Sequence, residues 1–316
     1  MTQRILALLL VGVFAGSFLG AAEAPAAAAA ADPADLTIIF QKQKDPAQVQ
    51  KQADDVAAYL SDKLGMPVRA VVPGDYSASV QALVNKRADV AYVSSLPFLL
   101  ARRDGNAQIL LAEQRLDVNT DEMRTDYDSI LVVRRDGPVQ SVEDLKQNHK
   151  DLRFAFTSPT STSGYIFAYW RLVTEGILKP GEHPSQAFSR IMFGGSYTGA
   201  LEAVARGQAD VAAVSYYTME GPRADVYLDE ETRSKLKVLT RTPGVPTHVL
   251  CVRDGLSDDL KARLKAALLE LSAEKPELLA DVYGAKSLVE VDENKHVQRT
   301  IESVEYLKLP IDDLAK

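Results

Sequence analysis

Ser77–Ser95 reads SASVQALVNKRADVAYVSS, and Thr198–Tyr216 reads TGALEAVARGQADVAAVSY. Laid Ser77 on Thr198 without a gap, the two stretches share Ala82 with Ala203, Ala88 with Ala209, Asp89 with Asp210, Val90 with Val211, Ala91 with Ala212, Val93 with Val214 and Ser94 with Ser215. A tyrosine precedes each copy at the matching position, Tyr76 and Tyr197. Each copy reads as a helix followed by a buried strand. One such unit used twice predicts two similar lobes, and a cleft between lobes is where a small ligand binds.

The flanking chain repeats the alternation of strand and helix. Leu36–Phe40, Val68–Val72 and Val90–Val93 read as strands. Pro46–Leu64 carries Val49, Ala53, Val56, Ala57, Leu60 and Leu64 on one helical face, and Gly65 stops it. This order predicts an α/β lobe with a largely parallel sheet. Ser129–Arg134, Leu152–Phe156, Arg190–Phe193 and the second repeat predict another lobe, inserted into the first. Lys237–Thr240 and Thr247–Val252 read as strands returning to the first lobe, followed by helices at Leu256–Leu271, Pro276–Val282 and Lys295–Leu307. The expected division is 36–128 with 241–316 for lobe 1 and 129–240 for lobe 2. Two chain crossings between lobes make a hinge.

The N-terminus has Arg4, an apolar stretch Ile5–Leu19 and the small residues Ala22-Glu23-Ala24. These are the marks of a cleavable secretory signal peptide at 1–24, with a cut after Ala22 as the alternative. An Ala/Pro-rich disordered leader is expected at 25–35. The 316 residues suit about two domains. A net charge of −7 argues against general nucleic-acid binding, yet leaves room for a small anion held by oriented N–H groups. Cys251 is the only cysteine, so no internal disulfide forms. It lies in a strand-like run and reads as a small buried residue.

Thr157-Ser158-Pro159-Thr160-Ser161-Thr162-Ser163-Gly164-Tyr165 follows a buried strand and precedes a helix. A loop at the C-terminal end of such a strand faces the ligand crevice of an open α/β sheet. Free N–H groups at a helix start, together with adjacent hydroxyls, suit a tetrahedral oxyanion. A Ser/Thr-rich helix cap with no ligand fits the same composition. Ser94-Ser95 and Ser215-Tyr216 follow the repeat strands, and Tyr76 and Tyr197 precede the repeat helices, so all could reach the same cleft. Tyr127 lies at a crossing. No Walker loop, G-x-S-x-G elbow or H-E-x-x-H pair occurs, and no Cys/His cluster has metal spacing. An enzyme, a cofactor and a metal site are therefore not expected.

With these motifs the chain resembles the periplasmic substrate-binding proteins of phosphonate, phosphite and phosphate ABC transporters, from about Leu36 to Leu307. Pro159-Thr160-Ser161-Thr162-Ser163-Gly164 matches the family's Pro-x-Ser-Thr-Ser-Gly. Asp75-Tyr76, Ala88-Asp89-Val90-Ala91, Tyr127-x-Ser129 and Ala209-Asp210-Val211-Ala212 support it. The resemblance implies a type II periplasmic binding protein fold, two α/β lobes joined by two hinge strands, without catalytic activity. It implies that Ser161, Thr162 and Ser163 hold the phosphonyl oxygens, with Tyr76 and Tyr127 donating to them. Ser95 is expected at the same cleft.

Three positions depart from the family pattern. Tyr197 stands where a histidine often contacts the phosphonyl group. Tyr217 and His248 stand where aminoalkylphosphonate binders place carboxylates on the ligand ammonium. A buried ammonium without paired acceptors carries a large desolvation cost. The expected ligand is therefore phosphite, methylphosphonate or phosphate, captured in the periplasm by a monomer and passed to an ABC permease. The alternatives are an oxyanion sensor signalling to a membrane histidine kinase, and an arsenite binder using its cysteine.

Overall fold

The computed structural model describes residues 32–117, 120–221 and 223–310. The expected signal peptide lies outside them, and so does all of the expected leader but its last four residues. Asp32, within those four, accepts from the Ser257 N–H at 2.8 Å.

Twelve strands are described: β1 (Leu36–Phe40), β2 (Val68–Val71), β3 (Val90–Val93), β4 (Gln108–Leu116), β5 (Met123–Arg124), β6 (Asp126–Arg134), β7 (Arg153–Phe156), β8 (Arg190–Phe193), β9 (Val211–Ser215), β10 (Leu236–Pro246), β11 (Val249–Val252) and β12 (Ser287–Val289). They form two sheets, ordered β12-β4-β11-β3-β1-β2, with β5 on β4, and β10-β6-β9-β7-β8. Each sheet has a parallel trio, β2-β1-β3 in one and β8-β7-β9 in the other. An antiparallel strand then flanks β3 and β9, β11 and β6 respectively. The sheets are thus mixed rather than largely parallel. The chain re-enters the first sheet from the second lobe, so β11 runs against β3.

The repeat has one geometry in both lobes. The helix Tyr76–Val84 is capped by Asp75 on the Ala78 N–H, and the helix Tyr197–Ala205 by Ser196 on the Gly199 N–H. A side-chain acceptor at this place satisfies N–H groups that a helix start leaves open. The helix Pro46–Leu64 buries the six predicted residues and ends on Gly65 at φ 67°, a conformation that favours glycine. The helix Asp258–Glu274 buries Leu260, Leu264, Ala267, Leu268 and Leu271, as its spacing predicts.

The two crossings lie side by side. β6 and β10 pair antiparallel from Arg134 with Leu236 to Asp126 with Pro246. Beyond them Thr247 ties the connections together, its N–H donating to the Thr125 carbonyl at 3.0 Å and its hydroxyl to the Glu113 carbonyl at 2.6 Å. The strand β4, which sequence periodicity did not reveal, carries Glu113 and Arg115 on one buried face.

Candidate functional site

Helices Tyr76–Val84, Ser95–Gly105 and Tyr197–Ala205 and the helical turn Thr162–Phe167 each start just after a strand of a parallel trio. Their first residues are buried between the sheets. Helix starts carry partial positive charge and unpaired N–H groups, so this place favours an anion.

Ser163 is central. Its hydroxyl lies 2.8 Å from the Tyr197 hydroxyl and 2.8 Å from that of Ser215. The Ser129 hydroxyl donates to the Ser163 carbonyl at 2.8 Å and holds the turn. Tyr76 and Tyr127 are buried beside this cluster, and among the described residues neither hydroxyl makes a hydrogen bond of good geometry, though Gln41 lies near the first and Ser163 and Ser215 near the second. Burial raises the Tyr76 phenol well above its ordinary value, with Tyr197 and Tyr127 pushing the same way and the Gln41 amide pulling back. Burial, then Tyr197, likewise raises Tyr127, opposed by Ser163 and Ser215. Both phenols therefore stay protonated as donors. Gln41, just past the end of β1, accepts from the Ser94 N–H through Oε1 at 3.0 Å, and its Nε2 is buried without a well-aligned partner among the described residues. Buried donors without acceptors are costly, so three in one place call for an acceptor.

The other predicted hydroxyls do different work. Ser161 Oγ accepts from the Gly164 N–H at 3.0 Å and caps the turn. Thr162 Oγ1 accepts from the Leu96 N–H at 2.9 Å, which ties the turn to the other lobe. Ser95 bonds Thr300 at 2.8 Å and approaches Thr162 at 3.4 Å. Gly164 has a specific reason: a Cβ there would sit 2.2 Å from Thr157 Oγ1. The close approach it permits is to the protein's own strand end.

Tyr217 and His248 meet on Gln43, which composition gave no reason to single out. The Tyr217 hydroxyl donates to Gln43 Oε1 at 3.0 Å, and His248 Nε2 lies 2.8 Å from Gln43 Nε2. An amide nitrogen only donates, so His248 Nε2 accepts and the ring proton sits on Nδ1, 3.0 Å from Glu113 Oε1. Glu113 is a buried carboxylate that the sequence pattern did not disclose. Burial raises its pKa, but Arg115 and then His248 outweigh that and hold it at about 2. Arg115 Nε is 2.6 Å from it, and the Tyr92 hydroxyl 2.5 Å. The charge of Glu113 is therefore matched inside the protein. Tyr127 stacks on His248 with ring centroids 6.1 Å apart.

Cys251 is buried in β11, paired with Ala91 and Ile109, and its thiol is raised by burial first and then by Glu293. His296 is half-buried with Nε2 3.1 Å from the Thr247 carbonyl.

Residues 38–296 match the family model described as ABC transporter, phosphonate, periplasmic substrate-binding protein. The chain belongs to this family. It is a family of binding proteins, not of enzymes. The phosphonates-binding periplasmic protein of Escherichia coli is 27% identical over 205 residues, 65% of this chain and 56% of the relative's length. A probable phosphite-binding protein of an ABC transporter, PhnD1 of Prochlorococcus marinus, is 23% identical over 246 residues, 75% of this chain and 78% of the relative. The PhnD1 structure in complex with methylphosphonate superposes with a TM-score of 0.74 at 20% identity, covering 88% of this chain and 99% of that one. A binding-protein component of an ABC phosphonate transporter from Pseudomonas aeruginosa gives a TM-score of 0.75 at 24% identity, covering 90% of each. In this phosphonate-binding family the two mixed sheets are the two lobes of a periplasmic binding fold.

Proposed function

We propose that this chain is the solute-binding component of an ABC transporter that captures a small phosphorus oxyanion, namely phosphite, methylphosphonate or phosphate, and delivers it to a membrane permease. One observation carries the reading. The Tyr76 and Tyr127 hydroxyls and Gln41 Nε2 are buried donors without acceptors, beside the hydroxyl cluster of Ser163, Tyr197 and Ser215. An oxyanion is the acceptor they lack. The three clustered hydroxyls also accept, so they suit a P–OH group as well as P–O⁻.

The far wall argues against an ammonium arm. Tyr217, His248 and Gln43 present no carboxylate there, and Arg115 balances Glu113. The family name and the PhnD1 complex with methylphosphonate support a phosphonate-type ligand.

Capture proceeds by closure about β6 and β10. Interlobe bonds form as the cleft shuts: the Leu96 N–H to Thr162 Oγ1, the Tyr197 N–H to the Gln43 carbonyl at 3.0 Å, and Arg223 to Asp281 at 2.5 Å. Hydrogen bonds to a charged group contribute about 1.5–3 kcal/mol each. Several of them reach the roughly −8 kcal/mol of micromolar binding.

A thermal-shift screen tests the proposal, because a ligand of the folded state raises the melting temperature. Phosphite, methylphosphonate or phosphate is expected to raise it at micromolar concentration. A response confined to sulfate, selenite or arsenite would contradict the reading.

A further inference from the structure

Gln43 holds four contacts where the lobes meet. Its Oε1 accepts from the hydroxyls of Tyr217 at 3.0 Å and Tyr227 at 3.2 Å. Its Nε2 lies 2.8 Å from His248 Nε2, and its carbonyl accepts from the Tyr197 N–H. The side chain is fully buried.

Its partners border two spaces. The Tyr217 ring lies 5.6 Å from that of Tyr127 and 6.0 Å from that of Tyr197, so it walls the donor cage. Tyr217 and Tyr227 also line an outer cleft of about 250 Å³, with Arg115, Arg223, Lys286 and Tyr283. No carboxylate lines that cleft among the described residues. Lys286 has no ion pair among the described residues. Arg115 and Arg223 are matched by Glu113 and Asp281, so Lys286 gives this aromatic cleft its unmatched positive charge, and Tyr217, held by the Gln43 carboxamide, borders both cleft and cage.

Resting on the reading of the cage as a phosphorus-oxyanion site, we propose that Gln43 determines specificity by closing the cage behind the phosphorus substituent. It confines the native protein to ligands with a P–H, P–OH or P–CH₃ group. Shortening it joins cage to cleft and admits a phosphonate with an anionic arm. The freed Tyr217 and Tyr227 hydroxyls then donate to that arm, and Lys286 attracts it.

Calorimetry on the native protein and Gln43→Ala tests this, with phosphite, phosphate, methylphosphonate, ethylphosphonate, propylphosphonate and 3-phosphonopropionate. The native protein is expected to prefer methylphosphonate to propylphosphonate and 3-phosphonopropionate by about 100-fold, because a closed, packed site does not take added methylenes. Gln43→Ala is expected to narrow the preference over 3-phosphonopropionate by about ten-fold, and that over propylphosphonate by less, since only the anionic arm gains from the Lys286 charge. Should the alanine chain not fold, Gln43→Asn withdraws the carboxamide by one methylene and is expected to gain ethylphosphonate. Equal native affinity for short and long phosphonates would overturn the proposal, as would an unchanged preference in a folded variant. Native protein that binds none of these ligands would instead overturn the oxyanion reading beneath it.

Discussion

Asp89 and Asp210 make the same pair of bonds in the two lobes. Asp89 Oδ2 accepts from the Thr37 N–H at 2.8 Å, and the Asp89 N–H returns to the Thr37 carbonyl at 2.9 Å. Asp210 Oδ2 accepts from the Arg153 N–H at 2.8 Å, and the Asp210 N–H returns to the Arg153 carbonyl at 2.8 Å. Each aspartate thus anchors the central strand of its parallel trio. The conserved register of Ala-Asp-Val-Ala within the chain follows from this shared bond pair.

Asp89→Ala and Asp210→Ala each leave a strand-end N–H without its partner. Each is expected to destabilise its lobe by about 2 kcal/mol, the scale for an orphaned buried polar group. Urea denaturation measures it, and a loss under about 0.5 kcal/mol in both would disprove the paired role.

Tyr127→Phe and Tyr76→Phe separate binding from folding. Each removes a buried hydroxyl that makes no hydrogen bond of good geometry among the described residues. The ligand-free melting temperature is expected to stay the same or rise. Oxyanion affinity is expected to fall about 10- to 100-fold, as for a lost bond to a charged group. Undiminished affinity in both variants would take the tyrosines out of the site.

Glu113 links stability to acid. Its folded pKa, about 2, lies below the ordinary carboxylate value because Arg115 and His248 outweigh its burial. A depressed folded pKa means that the stabilisation is complete above the unfolded value and is lost as pH falls from about 4.5 towards 2. Glu113→Gln leaves Arg115 buried without its carboxylate and is expected to cost about 3–5 kcal/mol at pH 7. Denaturation at pH 7 that matched the native protein would refute the account of the Arg115–Glu113–His248 chain.

Lys44 adds a second rise of stability with pH, at the alkaline end. It is buried where the lobes meet, with Nζ 3.1 Å from the Asp281 carbonyl. Burial, then Arg223, lowers its pKa to about 8. The unfolded chain then binds more protons between pH 8 and the ordinary lysine range, so stability rises with pH across that window. Lys44→Met is expected to stabilise the protein at pH 7 by on the order of 2 kcal/mol and to flatten the alkaline rise. Thermal melts from pH 6 to 10 measure both. An unchanged slope would show that the lysine charge is not buried as described.

The repeat made the architecture readable, because Val90–Val93 and Val211–Ser215 are apolar runs fixed by the same turn and the same aspartate. Helical faces such as that of Pro46–Leu64 were readable from spacing alone. The far wall of the site was not. Gln41, Gln43 and Lys44 form a polar run that resembles solvated loop, yet it follows the end of a parallel strand and faces the cleft. Glu113 and Arg115 lie two apart on β4, where charges usually mark an exposed face. Here each is buried because the other neutralises it. The hydroxyls of Ser161 and Thr162 were legible as a group, but only three-dimensional contacts separate the cap and the interlobe tie from Ser163.

The central claim is a small phosphorus oxyanion without an ammonium arm. Titration calorimetry of purified protein with phosphite, methylphosphonate, phosphate and 2-aminoethylphosphonate tests it most directly. One of the first three is expected to bind at about 1 μM or tighter, with 2-aminoethylphosphonate about 100-fold weaker because its ammonium meets no free carboxylate. Tight 2-aminoethylphosphonate binding, with none of the other three bound, would contradict the account.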